Sequence, residues 1–174
     1  MDVNLQFPVG LNTTWQTPTS ITSMSQTVAS WLLDTGSLTE RVQANVPAFS
    51  LQVVGEGKVP LHRNERQGLR GSPDHYQVRE VLLKDGVTPW VFARSILPEA
   101  LVNAEFKNLG TEPLGKRLFN DSRFVRGEFE VCRVSLPPLS TPEAPVLWGR
   151  RSCFSFQSYT MLVAEVFLPA SPLY

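Results

Sequence analysis

The sequence predicts an α+β domain built on a mainly antiparallel sheet, and three observations point there. Hydrophobic residues make up 42% and charged residues 18% of the 174 positions, the balance of one folded domain with a real core. Apolar residues recur at helical spacing in two stretches and with a period of two in the others. The two kinds of stretch are segregated in the order helices, strand, hairpin, helices, three strands, which differs from the strict βαβ alternation of a parallel sheet.

Taken in order, residues 1–24 are rich in Thr, Ser, Gln, Asn and Pro and read as a loosely held N-terminal extension with Trp15 as its main anchor. Residues 25–174 read as the domain proper. From Ser25 to Leu33, Val28, Trp31 and Leu32 fall at helical spacing. Ser37-Leu38-Thr39-Glu40 matches a capping box, so a second helix begins at Ser37. Phe49, Leu51 and Val53 then alternate as a strand before the turn-like Gly55-Glu56-Gly57. The polar, charged stretch 55–75 reads as a long surface connection or flap. Tyr76–Leu83 and Trp90–Leu97 form a hairpin about Lys84-Asp85-Gly86. Pro98 suits the first turn of a helix that runs through Lys107. Gly110 ends it, and Thr111-Glu112-Pro113 starts another that reaches Phe119. Two strands, roughly Phe124–Ser135 and Leu147–Gln157, flank a proline-rich loop at 136–145 that no sheet interior accepts. A last strand, Tyr159–Leu168, stops at Pro169.

Sixteen basic and sixteen acidic side chains give a net charge of zero. No global field draws the chain to nucleic acid or a membrane surface, so a bound anion must be held by local groups. Lys107, Lys116, Arg117, Arg123 and Arg126 make a locally basic stretch that lacks an aromatic RNA-binding signature and reads as solvated surface. Cys132 and Cys153 read as small buried strand residues; a disulfide would be unusual in a reducing compartment. His62 and His75 lie in the polar connection and read as exposed, and no metal-ligand cluster is visible. The N-terminus has no basic flank leading into an apolar core, and no apolar run has the length of a membrane span, so the cytosol is the expected compartment. No Ser-His-Asp arrangement, phosphate loop or dinucleotide fingerprint is present.

Glu165 is the residue that points to chemistry. Its strand is apolar on both faces, and its own stripe is Met161, Val163 and Phe167. A carboxylate in that company must be protonated, paired, or aimed at a polar ligand. Arg94 is set in the same way among Trp90, Phe92 and Ile96, and Arg79 shares a face with Val81 and Leu83. Either arginine pairs with Glu165 as a structural ion pair, or one of the two is left for an anionic ligand. The backbone N–H groups at Leu38 and Leu114, in the first turns of two helices, are further carboxylate donors. Arg150 and Arg151 are adjacent and face opposite sides of their strand, so at most one enters a core-side site.

Five stretches carry a family resemblance: Arg79-Glu80-Val81-Leu82-Leu83; Pro89-Trp90 with Ala93-Arg94; Leu109-Gly110-Thr111-Glu112-Pro113-Leu114-Gly115; Leu147-Trp148-Gly149-Arg150-Arg151-Ser152; and Glu165-Val166-Phe167-Leu168-Pro169-Ala170-Ser171-Pro172-Leu173-Tyr174. In these, and in their order over approximately residues 26–174, the chain resembles bacterial chorismate pyruvate-lyases, which make 4-hydroxybenzoate for ubiquinone. The resemblance implies a monomer with a six-stranded antiparallel sheet and an internal ligand site covered by flaps, without metal or organic cofactor. It makes Arg79 the ligand-binding arginine, Glu165 the ligand-binding glutamate and Leu114 the leucine of a P-L-G motif. Leu38 stands where the family has a ligand-contacting methionine. The polar extension and the longer loop at 136–146 are departures outside the matched motifs.

On this reading Arg79 and the N–H groups of Leu38 and Leu114 hold a carboxylate of chorismate. Arg94 stabilises charge on the departing enolpyruvate. Glu165 orients the ring hydroxyl and either accepts the neighbouring ring proton or leaves it to an intramolecular transfer. The competing reading is a small-molecule-binding module without chemistry, like the effector domains of some bacterial repressors; it would need a DNA-binding domain, for which the 24-residue extension is too short.

Overall fold

A computed structural model describes residues 5–136 and 146–174. The proline-rich loop expected at 136–145 therefore lies, but for its first residue, outside the described residues, as do the first four residues of the extension.

Two capped helices open the domain. In α1 (Gln26–Leu32) the Ser25 hydroxyl accepts the Val28 N–H at 3.2 Å, and in α2 (Leu38–Asn45) the Ser37 hydroxyl accepts the Glu40 N–H at 3.3 Å. The reciprocal half of the expected capping box is not made, because the Glu40 carboxylate turns to the Asn120 side-chain amide at 3.4 Å.

The strands are β1 (Phe49–Gly57), β2 (Tyr76–Asp85), β3 (Thr88–Pro98), β4 (Val125–Arg126), β5 (Glu130–Val134), β6 (Leu147–Phe156) and β7 (Tyr159–Phe167). They form one antiparallel sheet in the order β1-β2-β3-β7-β6-β4, with β5 also on β6. Six strand positions are thus filled by seven strands, because β4 and β5 follow one another along the outer edge of β6. The single strand expected over 124–135 is broken there: the Gly127 N–H bonds Cys153 O at 2.8 Å, and the chain leaves the ladder until Glu130. β1 runs through the turn expected at 55–57. Gly55 is required there because a Cβ would fall 2.3 Å from the Phe7 ring.

Helix α4 (Glu99–Leu101) passes into a π-helical turn, Val102–Phe106, and Gly110 follows at φ +53°. α5 (Leu114–Phe119) starts after Pro113, three residues later than Thr111 suggests, since Pro113 fits the boundary and the turn before it is held by the Glu112 N–H to Leu109 O bond at 2.8 Å.

Register sorts the sheet into two faces. On the first face, α1 and α2 pack over Leu83, Val91, Trp148 and Phe167, while the segment 97–124 packs over Met161, Val163, Phe154 and Phe156. The second face is covered by two polar segments, one read from sequence as a loosely held extension and the other as a surface connection or flap. Residues 5–16 lie across Leu82, Phe92, Ala164 and Val166, with Leu11 buried and Gln16 bridged to Val131. The connection 58–75, which includes α3 (Arg63–Gln67), covers Val78, Ile96 and Leu162. The polar composition of both segments concealed the few apolar residues, Leu11, Leu61 and Leu69 among them, that fasten them down.

Candidate active site

Two neighbouring rows of side chains cross the first face. One runs Val53, Val81, Ala93, Glu165, Arg150 and the next Glu56, Arg79, Ser95, Val163, Ser152. Arg79 and Glu165 therefore stand on the same face, two strands apart, about 10 Å sideways at the usual strand spacing. Between them the floor is made of small side chains, Ala93 and Ser95. Ala93 is in the central strand β3 yet only half-buried, which marks a hollow between sheet and helices.

At one end of the hollow, Glu165 Oε2 accepts the Arg150 Nε–H at 2.7 Å, while Oε1 has no protein donor among the described residues. Arg150 is almost fully buried, and its Nη1 donates to Leu32 O at 3.2 Å and Asp34 O at 2.9 Å. These carbonyls belong to the end of α1 and the turn after it, where acceptors lack intrahelical partners. Neither structural pairing weighed from sequence, Arg79 or Arg94 with Glu165, is formed; the partner is Arg150, directly opposite in the β6–β7 register.

At the other end, Arg79 Nη2 donates to Gly110 O at 2.7 Å and Glu112 O at 3.4 Å, and Nη1 pairs with the half-exposed Glu56 carboxylate. Burial pushes the Arg79 pKa down from the ordinary arginine value. Its bonds fix the turn that delivers Leu114 to the start of α5. The N-terminus of α2 meets that of α5: a Cβ on Gly115 would lie 3.3 Å from Thr39 Oγ1. Leu38 and Leu114 are both buried, one in the apolar cluster under α2 and the other in that under α5. The structure thus brings Arg79 and the first turns of α2 and α5 to one end of the hollow, and Glu165 with Arg150 to the other.

Arg94 does not join them. It lies on the second face, where its Nε donates to Glu65 Oε1 at 2.7 Å, Nη2 to Glu65 Oε2 at 3.2 Å and Nη1 to Glu80 Oε1 at 2.7 Å. Glu80 also accepts the N–H groups of Val9 at 2.7 Å and Gly10 at 2.9 Å, and Glu65 that of His62 at 2.8 Å. All three charged side chains are buried. The leaving-group role read for Arg94 is corrected on this geometry: it is the hub that ties the N-terminal segment and α3 to the sheet. An apolar stripe signals burial of an arginine but does not say which face of the sheet carries the hollow.

Arg126 is the residue that sequence reasoning misplaced. Read as solvated surface, it is half-buried on the first face, opposite Phe154, and its Nη1 donates to Thr35 O at 2.9 Å. Only its register against β6 reveals this. His62 is half-buried against Gly10, whereas His75 is exposed; Cys132 is buried and Cys153 partly buried, both as free thiols. No helix is long and apolar enough to cross a membrane among the described residues.

Solved structures with related folds include the effector domain of PhnF from Mycobacterium smegmatis, at TM-score 0.55 and 14% identity over 79% of this chain and 91% of that one. A second is gene product SA0254 from Staphylococcus aureus, at TM-score 0.52 and 11% identity over 78% and 90%. These likenesses show the fold alone. Sequence relatives reach further. A probable chorismate pyruvate-lyase of Pseudoalteromonas atlantica is 40% identical over 97% of this chain and 92% of its own length. One from Pseudomonas aeruginosa is 43% identical over 91% and 93%. The profile of the family described as chorismate lyase matches residues 9–174, from the segment that Glu80 holds to the final tyrosine. With that match spanning both ends of the hollow and every strand beneath it, the chain belongs to the chorismate lyase family.

Proposed function

We propose that the protein converts chorismate to 4-hydroxybenzoate and pyruvate, with the ring lying along the hollow between Arg79 and Glu165. The carrying observation is that pair of rows: a cation and two helix starts at one end, a carboxylate with an oxygen that has no donor among the described residues at the other, and a floor of Ala93 and Ser95 between them. The ring carboxylate is held by Arg79 and the N–H groups of Leu38 and Leu114, exchanging places with the solvent-exposed Glu56 carboxylate. A main-chain contact at Leu38 needs no methionine sulfur, so the family's methionine is replaced without loss. Glu165 Oε1 accepts the ring hydroxyl.

The bond from the ring to the ether oxygen breaks. The hydrogen on the carbon bearing the hydroxyl leaves as a proton, and its electron pair completes the aromatic ring. The departing enolpyruvate takes up a proton at its methylene carbon and becomes pyruvate. Aromatisation drives this elimination, so no metal or organic cofactor takes part, and exhaustive chelation is expected to leave turnover unchanged. On the same reading the protein works as a cytoplasmic monomer on a small-molecule substrate, without nucleic acid, and supplies 4-hydroxybenzoate for ubiquinone. Incubation with chorismate should yield equimolar 4-hydroxybenzoate and pyruvate by chromatography. Chorismate recovered unchanged, or an isomer formed without pyruvate, overturns the reading.

A further inference from the structure

We propose that Arg126 is the substrate-binding residue for the second carboxylate of chorismate, the one on the departing enolpyruvyl group; this rests on the functional reading above. In chorismate the enolpyruvyl ether sits on the ring carbon next to the one bearing the hydroxyl. Its carboxylate must therefore be met near Glu165, at the far end of the hollow from Arg79. Arg94, on the other face with its donors committed to Glu65 and Glu80, cannot reach it.

Arg126 has the position and the unused capacity. It shares the first face with Arg150 and Glu165, and the two guanidinium groups flank one ring: the Phe129 centroid is 4.7 Å from Arg150 Cζ and 5.1 Å from Arg126 Cζ. Its Nη1 is used by Thr35 O, but Nε is buried without any hydrogen-bond partner, and no carboxylate pairs with it among the described residues. A buried donor left without an acceptor is costly in a finished interior and is satisfied at once by an anion. Burial, and then the charge of Arg150, push its pKa down against the smaller opposing pull of Glu165 and Asp34. A cleft of ≈ 390 Å³ opens on it, lined by Thr35, Leu118, Phe124, Phe129 and Phe154. Glu128 is the one carboxylate on that lining, and it is exposed. The cleft is large enough for a three-carbon acid and opens to solvent.

The test uses two stable ligands, 4-hydroxybenzoate and 3-(carboxymethoxy)-4-hydroxybenzoate, which adds a carboxylate where chorismate carries its enolpyruvyl acid. The variant is Arg126→Gln, which keeps the start of the side chain and a polar end but removes the charge and the fork of donors. Affinity for the diacid, and kcat/KM for chorismate, should each fall on the order of 10²-fold, the share of a charge-assisted bidentate contact. Affinity for 4-hydroxybenzoate should change by less than about threefold, as expected of a group the product never touches. Arg79→Ala, by contrast, should weaken both ligands. Equal losses for both ligands in Arg126→Gln, or no loss for either, overturn the assignment. Because the two affinities are read without turnover, they test Arg126 even if the parent protein fails to convert chorismate, which would overturn the functional reading separately. Should Arg126→Gln not fold, Arg126→Lys takes its place: the diacid alone should weaken, and equal weakening again overturns the proposal.

Discussion

Arg94→Met should destabilise the protein and leave its chemistry intact. The substitution keeps the length and apolar contacts of the side chain but removes the cation between Glu65 and Glu80, whose side chains are 7% and 0% exposed. Two carboxylates are then buried with, among the described residues, only the N–H groups of Val9, Gly10 and His62 to hold them. Breaking a buried pair in this way costs about 3–5 kcal/mol. For a chain of this size that is a fall in Tm of roughly 6–20 °C. Calorimetry at pH 7, with turnover measured where both proteins are folded, makes the comparison. A triple variant that also carries Glu65→Gln and Glu80→Gln should recover most of the loss. An Arg94→Met protein that melts with the parent but no longer turns over chorismate would refute the structural assignment and return Arg94 to the leaving group.

Glu165→Gln should cut kcat by roughly 10²–10⁴-fold if the carboxylate takes the ring proton; a glutamine that keeps most of the rate, beside an inactive Glu165→Ala, would leave it only the task of orienting the hydroxyl. Progress curves should bend early and match those started with added 4-hydroxybenzoate if the product fills the hollow and keeps contacts with Arg79 and Glu165, as proposed; straight curves to high conversion would count against an enclosed site. Burial pushes the Cys132 thiol and the Tyr174 phenol each up to about 12. Both stay neutral in the folded state while the unfolded chain ionises, so unfolding free energy should be flat below about pH 8.5 and fall between there and pH 12; a rise over that range in urea titrations would contradict the burial of both groups.

The fold was largely legible because period and punctuation agree. Val28, Trp31 and Leu32 mark α1, Gly86 marks the hairpin, and Pro169 ends β7. What was hidden is whatever depends on contacts distant in sequence. The covering of the second face by residues 5–16 rests on Glu80 accepting two N–H groups some seventy residues away, and no local pattern announces that. The break between β4 and β5 comes from Gly127 bonding to Cys153 O, and this break carries Phe129 to the place where it meets Arg126 and Arg150. Glu165 was legible as a site candidate because one carboxylate in an apolar strand is costly wherever that strand lies. Its partner was not, since pairing Arg150 with Glu165 requires the β6–β7 register.

The arginines on neighbouring strands look alike in sequence, and what separates them is how exchangeable their partners are. Arg94 is fixed by two buried carboxylates, each with further donors, so replacing either by a ligand would strand a charge in the interior. Arg151, on the same face, bonds Glu130 and Asn64 O and lies with Cζ 4.8 Å from the Trp15 ring centroid. Arg79 has a different kind of partner. Glu56 is 48% exposed, so water can take back its carboxylate when a ligand arrives, while Gly110 O and Glu112 O keep the guanidinium in place. An anion therefore enters at Arg79 at small cost and at Arg94 only by unfolding the second face. The same reasoning separates Arg150 from Arg126 at the other end. Arg150 is held by Glu165 and two carbonyls, and so fixes the carboxylate that is proposed to meet the ring hydroxyl. Arg126 holds one carbonyl and keeps a buried donor in reserve. On the proposed reading, a substrate with two carboxylates needs two cations whose partners can yield, and on the first face Arg79 and Arg126 have such partners.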